Sequence, residues 1–83
     1  MSSKEVVVID YGFGNVRSVF NALQAVGLEP KRSSDPDQIS TAGKLLLPGV
    51  GAYGSAMQEL RRRGLAEATS DAVKRGSRLL GVC

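Results

Sequence analysis

Three short apolar runs and one weaker stretch are spaced along the chain, and between them apolar positions recur at helical intervals. Val6-Val7-Val8-Ile9 is continuous and β-branched and stops at Asp10, which predicts a central parallel strand leading into the loop Tyr11-Gly12-Phe13-Gly14-Asn15. From Asn15 the apolar residues fall at Val16, Val19, Phe20, Leu23 and Val26, the stripe of a helix lying on a sheet. Asn15 is placed to cap that helix and Gly27 to end it. Leu28 to Ser33 predicts a weaker strand at a sheet edge, because Lys31 and Arg32 interrupt its apolar character. Asp35-Pro36-Asp37-Gln38 predicts a short helix with Asp35 as N-cap, Pro36 in its first position, Gln38 reaching back and Ile39 as its anchor.

Leu45-Leu46-Leu47 predicts a third strand, buried on both faces and cut off by Pro48-Gly49-Val50-Gly51. Ser55-Ala56-Met57-Gln58 has capping-box spacing and opens a predicted helix through about Arg62, with Gly64 interrupting. A further helix runs from Leu65 to Arg75 with Leu65, Ala68, Ala72 and Val73 on one side, and Gly76 follows its basic end. Leu79 to Val82 is a fourth strand, expected to expose an apolar edge that further strands would cover. Alternating strands and helices joined by right-handed crossovers predict an α/β fold, an open parallel sheet with flanking helices. In the flavodoxin-like order 2-1-3-4, strands three and four are neighbours, and Pro48 to Gly51 meets Cys83 in one crevice.

Composition narrows the class. At 83 residues the chain holds one small domain, and 42% hydrophobic content with ten glycines and three prolines fits globular alternation better than a disordered tail. The apolar run after the N-terminal Met1-Ser2-Ser3-Lys4 is only four residues, too short for a secretory signal or a membrane span. The expected location is therefore the cytoplasm, without a membrane partner. One cysteine and no histidine leave no set of soft zinc ligands, so neither a metal nor another cofactor is expected. The net charge of +3 and pI near 9.4 raise the question of nucleic acid, with Arg61-Arg62-Arg63 as the obvious patch. These arginines fall in the last turn of a predicted helix, where cations complement the dipole, and no aromatic residues stand among them for stacking on bases. They are read as a solvated face, and no nucleic-acid partner is expected.

Three stretches carry candidate chemistry. Gly12-Phe13-Gly14 after the first strand resembles the start of a dinucleotide-binding turn, but Arg17 stands where the fingerprint has its third glycine, and Lys31-Arg32-Ser33 stands where it has an acidic residue. Asp10 has no second carboxylate close in sequence with which to hold a cation, so Asp10 and Asn15 are read as shaping the loop. The Pro48-Gly49-Val50-Gly51 turn leaves backbone N–H groups unpaired, and Gly49 and Gly51 lack side chains that would block a carbonyl becoming an oxyanion. The same four residues would equally serve to turn a corner. Cys83, the conventional strong nucleophile of the chain, stands in a Gly-x-Cys at a strand end, as at the start of a nucleophile elbow. A free cysteine there is also a common small core residue, and a neutral thiol needs a basic partner that this sequence does not contain.

Ile9-Asp10-Tyr11-Gly12-Phe13-Gly14-Asn15-Val16-Arg17-Ser18-Val19, Leu47-Pro48-Gly49-Val50-Gly51-Ala52-Tyr53-Gly54 and Leu80-Gly81-Val82-Cys83 together resemble the glutamine amidotransferase subunits of imidazole glycerol phosphate synthase, within the class I glutamine amidotransferases. The likeness spans the whole chain, residues 1–83, as the N-terminal part of an amidotransferase domain that continues past the nucleophile. It implies that Cys83 attacks the side-chain amide of glutamine, that Gly49, Val50 and Gly51 form the oxyanion and glutamine-binding strand, and that ammonia passes to a cyclase partner subunit in histidine biosynthesis. The family's catalytic His and Glu lie beyond Cys83, so the 83 residues alone are expected to be inactive. The other reading is a non-catalytic α/β fragment or binding module. The residues downstream of Cys83 separate the two, because the enzyme needs a helix there and a His-x-Glu pair later.

Overall fold

β-Branched and leucine-rich runs cannot solvate their side chains cheaply and pair into strands, while the capped, periodic stretches between them coil into helices. The computed structural model of the chain describes residues 4–12, 14–49 and 53–82. In order these form β1 (Glu5–Ile9), α1 (Val16–Ala25), β2 (Glu29–Ser33), α2 (Pro36–Thr41), β3 (Lys44–Pro48), α3 (Tyr53–Arg62), α4 (Leu65–Lys74) and β4 (Arg78–Val82). The strands make one all-parallel sheet in the order β2-β1-β3-β4, the flavodoxin-like order that the sequence predicts.

Period-two alternation divides the strand side chains between two faces. Val7, Ile9 and Leu45 join Ile39, Leu60 and Leu65 in the larger core, on the side of α2, α3 and α4. Val6, Val8 and Leu46 face the other way, where Val16, Val19, Phe20 and Leu23 of α1 pack on them while remaining partly exposed. Ile39 is fully buried, as its predicted role as anchor requires.

Capping follows the sequence in two places. The Asn15 side chain accepts a hydrogen bond from the Ser18 N–H at 3.1 Å. Asp35 accepts from the Asp37 N–H at 2.9 Å, with Pro36 opening α2. Gln38 differs from expectation: its Oε1 accepts from the Ser33 hydroxyl at 2.6 Å, and the Ser33 oxygen accepts the Asp35 N–H at 3.1 Å. The reach back to the cap is thus relayed through the last residue of β2, because Ser33 is nearly buried and occupies the space between.

Three further expectations are corrected, and one about β4 holds. α3 begins at Tyr53, so Ser55 lies inside its first turn instead of capping it. Val26, assigned to the buried stripe of α1, follows the helix end and is 73% exposed beside the left-handed Gly27. Val73 is exposed as well, since one helical step past the fully buried Ala72 turns the side chain by about 100°. β4 is an edge strand that exposes Leu79 and Leu80, as expected, with no described element on its outer side.

Candidate active site at the carboxyl end of the sheet

In parallel α/β sheets ligands gather where the carboxyl ends of the strands open into loops. Here β3 and β4 pair along their full length, Lys44 with Arg78 through to Pro48 with Val82. The two strands therefore end level with one another. Gly49, the first residue past β3, is described; Val50, Gly51 and Cys83, the remaining sequence-derived site residues, lie outside the described residues.

The loop after β1 packs against the start of the turn after β3. Tyr11 is 1% exposed, its ring belongs to the larger core with Ala56 and Leu60 of α3, and its hydroxyl donates to the carbonyl of Pro48. Gly14, at φ +85°, lies so close to that turn that a Cβ built on it would stand 2.7 Å from Pro48 Cβ and 3.5 Å from the Gly49 carbonyl oxygen. Strand order explains the meeting, since β1 and β3 are neighbours and send their loops over the same end of the sheet.

Charged groups ring the β1 end of this surface. Asp10 accepts from Arg32 Nε at 2.8 Å and, more weakly, from the Gly12 N–H at 3.4 Å. The Arg32 hydrogen bond leads in holding the Asp10 carboxyl below its ordinary range, against the opposing effect of partial burial. The loop-shaping role read for Asp10 and Asn15 is present: Asp10 takes the Gly12 N–H, and Asn15 caps α1. The partner Arg32 is new, because register pairs Val8 with Arg32 and the sequence does not show that register. A polar cavity of about 460 Å³ opens beside the pair, lined among others by Gly14, Asn15 and Arg17.

The three consecutive arginines sit at the end of α3 and just past it. Arg62 holds Glu59 through two bonds of 2.9 Å, and Arg63 adds a third at 2.7 Å while its guanidinium lies against the Gly12 backbone. Hydrogen bonds from Arg62 first and Arg63 second pull the Glu59 carboxyl down to about 2. Two of the three cations thus have an anionic partner on their own helix, the pairing expected of a solvated face.

Sequence reasoning missed Tyr11. The available signal was an aromatic residue with a polar tip directly past a buried strand end, where ring and hydroxyl demand different surroundings.

No family model matches the chain. Over 78 residues, 94% of the chain, it is 51% identical to the imidazole glycerol phosphate synthase subunit HisH of Symbiobacterium thermophilum. It is 50% identical to the subunit HisH of Streptococcus sanguinis and 49% to that of Listeria monocytogenes serotype 4b over the same length. The chain spans only 37% to 38% of the length of these relatives. Along nearly its whole length, half of the chain's residues are identical to those of HisH subunits of imidazole glycerol phosphate synthase, so it is similar to part of those subunits.

Proposed function

We propose that this chain supplies the nucleophile and the oxyanion turn of a glutamine amidotransferase, the subunit that releases ammonia from glutamine for the cyclase subunit of imidazole glycerol phosphate synthase in histidine biosynthesis. The observation that carries the reading is the level ending of β3 and β4. Pro48 pairs with Val82, so Gly49 and Cys83 are the next residues of two strands that run about 4.8 Å apart. A nucleophile and an oxyanion turn need neighbouring strand ends, and the similarity to HisH subunits of imidazole glycerol phosphate synthase supports a partner subunit.

In this reading the Cys83 thiolate attacks the side-chain amide carbon of glutamine, and the carbonyl electron pair moves onto oxygen. Backbone N–H groups of Gly49, Val50 and Gly51 stabilise the oxyanion. The C–N bond then breaks, the nitrogen leaves as ammonia with an added proton, and water hydrolyses the glutamyl thioester to glutamate and the free thiol. No histidine stands among the 83 residues, so the base that takes the thiol proton is assigned to another part of the assembled enzyme. The reading includes a heterodimer with the cyclase subunit and a cytoplasmic location. Among the described residues no helix is long and apolar enough to cross a membrane.

The test uses the full-length protein with its cyclase subunit. Cys83→Ala should abolish product formation fed by glutamine and leave product formation fed by ammonium salts at the parent rate, because only the first route passes through the thiol. Glutamine-fed turnover surviving Cys83→Ala would overturn the assignment.

A further inference from the structure

We propose that Tyr11 is a positioning residue for the oxyanion turn: its hydroxyl holds the Pro48 carbonyl and thereby sets the orientation of the Pro48–Gly49 peptide, whose N–H is the first of the proposed donors. The inference rests on the amidotransferase reading and adds to it a residue outside the turn itself.

Oxyanion donors act only when aimed at the position the developing charge will occupy, and a displacement of about 1 Å can cost on the order of a hundredfold in rate. A turn rich in glycine does not hold such an aim by itself, because glycine moves between backbone regions at little cost. The described structure shows an external support. Tyr11 reaches the Pro48 carbonyl from the neighbouring strand end, and its ring is buried in the core cluster that includes Ile9, Ile39, Ala56 and Leu60. Pro48 adds a fixed φ at the last position of β3. Gly14 of the same loop packs close by, its missing Cβ leaving room for the Pro48 ring and the Gly49 carbonyl. The peptide leaving β3 is therefore held by two residues of the β1–α1 loop before the chain reaches Val50.

Two electrophiles separate this role from a general structural one. A chloroketone analogue of glutamine captures a thiolate through a tetrahedral adduct carrying an oxyanion, whereas iodoacetamide alkylates by direct displacement at a methylene and develops no oxyanion. Both are applied to the full-length protein in complex with its cyclase subunit, and the label is located on Cys83 by peptide mapping. Tyr11→Phe keeps the ring and removes only the hydroxyl. We expect chloroketone labelling of Cys83 and kcat for glutamine hydrolysis each to fall roughly threefold to tenfold, the effect of losing one hydrogen bond, with iodoacetamide labelling and the thermal midpoint near the parent values. Unchanged chloroketone labelling overturns the proposal, and so does an equal loss with both reagents. The outcome is distinct from failure of the amidotransferase reading, in which Cys83→Ala would retain glutamine-fed turnover whatever Tyr11→Phe does.

Discussion

Replacing Gly14 by alanine should cost more than the same replacement at Gly27, and the excess measures how tightly the β1–α1 loop is seated on Pro48. The two glycines share a backbone conformation, φ +85° and +86°. An L-residue in that left-handed region costs about 1–2 kcal/mol. The stiffening of the unfolded chain by alanine, worth about 0.4–1 kcal/mol in the opposite direction, is common to both variants and cancels. Their surroundings differ. At Gly27 an added Cβ has nothing within 4 Å, whereas at Gly14 it would stand 2.7 Å from Pro48 Cβ. The Pro48 ring is fully buried in the terminal position of β3 and has no flexible end to swing aside. Overpacking of this kind adds about 1–3 kcal/mol, so Gly14→Ala should be less stable than Gly27→Ala by that amount. At a urea dependence of about 1 kcal/mol per molar, the low end for small domains, the midpoints should differ by roughly 1–3 M. Equilibrium unfolding of both variants by circular dichroism measures this. Superimposed transitions would show that the loop does not bear on Pro48 and would remove the second grip on the turn.

Two further predictions concern charge and chemistry. Glu59, pulled from its ordinary 4.5 down to about 2, and Asp10, also lowered, contribute stability that is present above pH 4.5 and lost as pH falls through their folded-state values. The urea midpoint should therefore drop on acidification below pH 4.5, and Glu59→Gln should flatten part of that slope; a variant profile parallel to the parent's would refute the Arg62 and Arg63 pairing as its source. In the full-length protein with its cyclase subunit, Val50→Pro removes one proposed oxyanion donor, a loss of about 2.7–4 kcal/mol of barrier or roughly a hundredfold to a thousandfold in glutaminase rate. Docking to the cyclase should be retained, and a variant that docks and hydrolyses glutamine at the parent rate would exclude Val50 as a donor.

The strands and their order were legible because three of the four strand signals were local and strong, and the weaker one fell at the predicted edge. Three apolar runs and that edge stretch, separated by helical stretches, admit few arrangements once connections are short and parallel, and the observed order β2-β1-β3-β4 is among them. The features that were not legible depended on neighbours distant in sequence. The Gln38 side chain has capping-box spacing, but Ser33 at the end of β2 intercepts it, and only the fold brings that hydroxyl within 2.6 Å. Val73 shows the limit of a helical stripe read from spacing alone, since the edge of an apolar face and its centre differ by one residue.

The same distinction accounts for the glycines of the first loop. Gly12-Phe13-Gly14 after a buried strand has the outward form of a phosphate-binding turn, and its missing third glycine left its purpose unassigned. Both Gly12 and Gly14 have positive φ, which explains their type locally, but their surroundings are tertiary. Gly12 lies beneath the Arg63 guanidinium that Glu59 holds, and Gly14 lies against Pro48 and the Gly49 carbonyl. The loop is therefore shaped to receive two neighbouring segments of its own chain, α3 and the turn after β3. Strand order is the cause: with β1 beside β3, a side chain at Gly14 would meet the residues that lead into the proposed oxyanion turn. The glycine that looked like part of a cofactor site is thus required by packing, and the loop after β1 bears on the residues that lead into the proposed oxyanion turn.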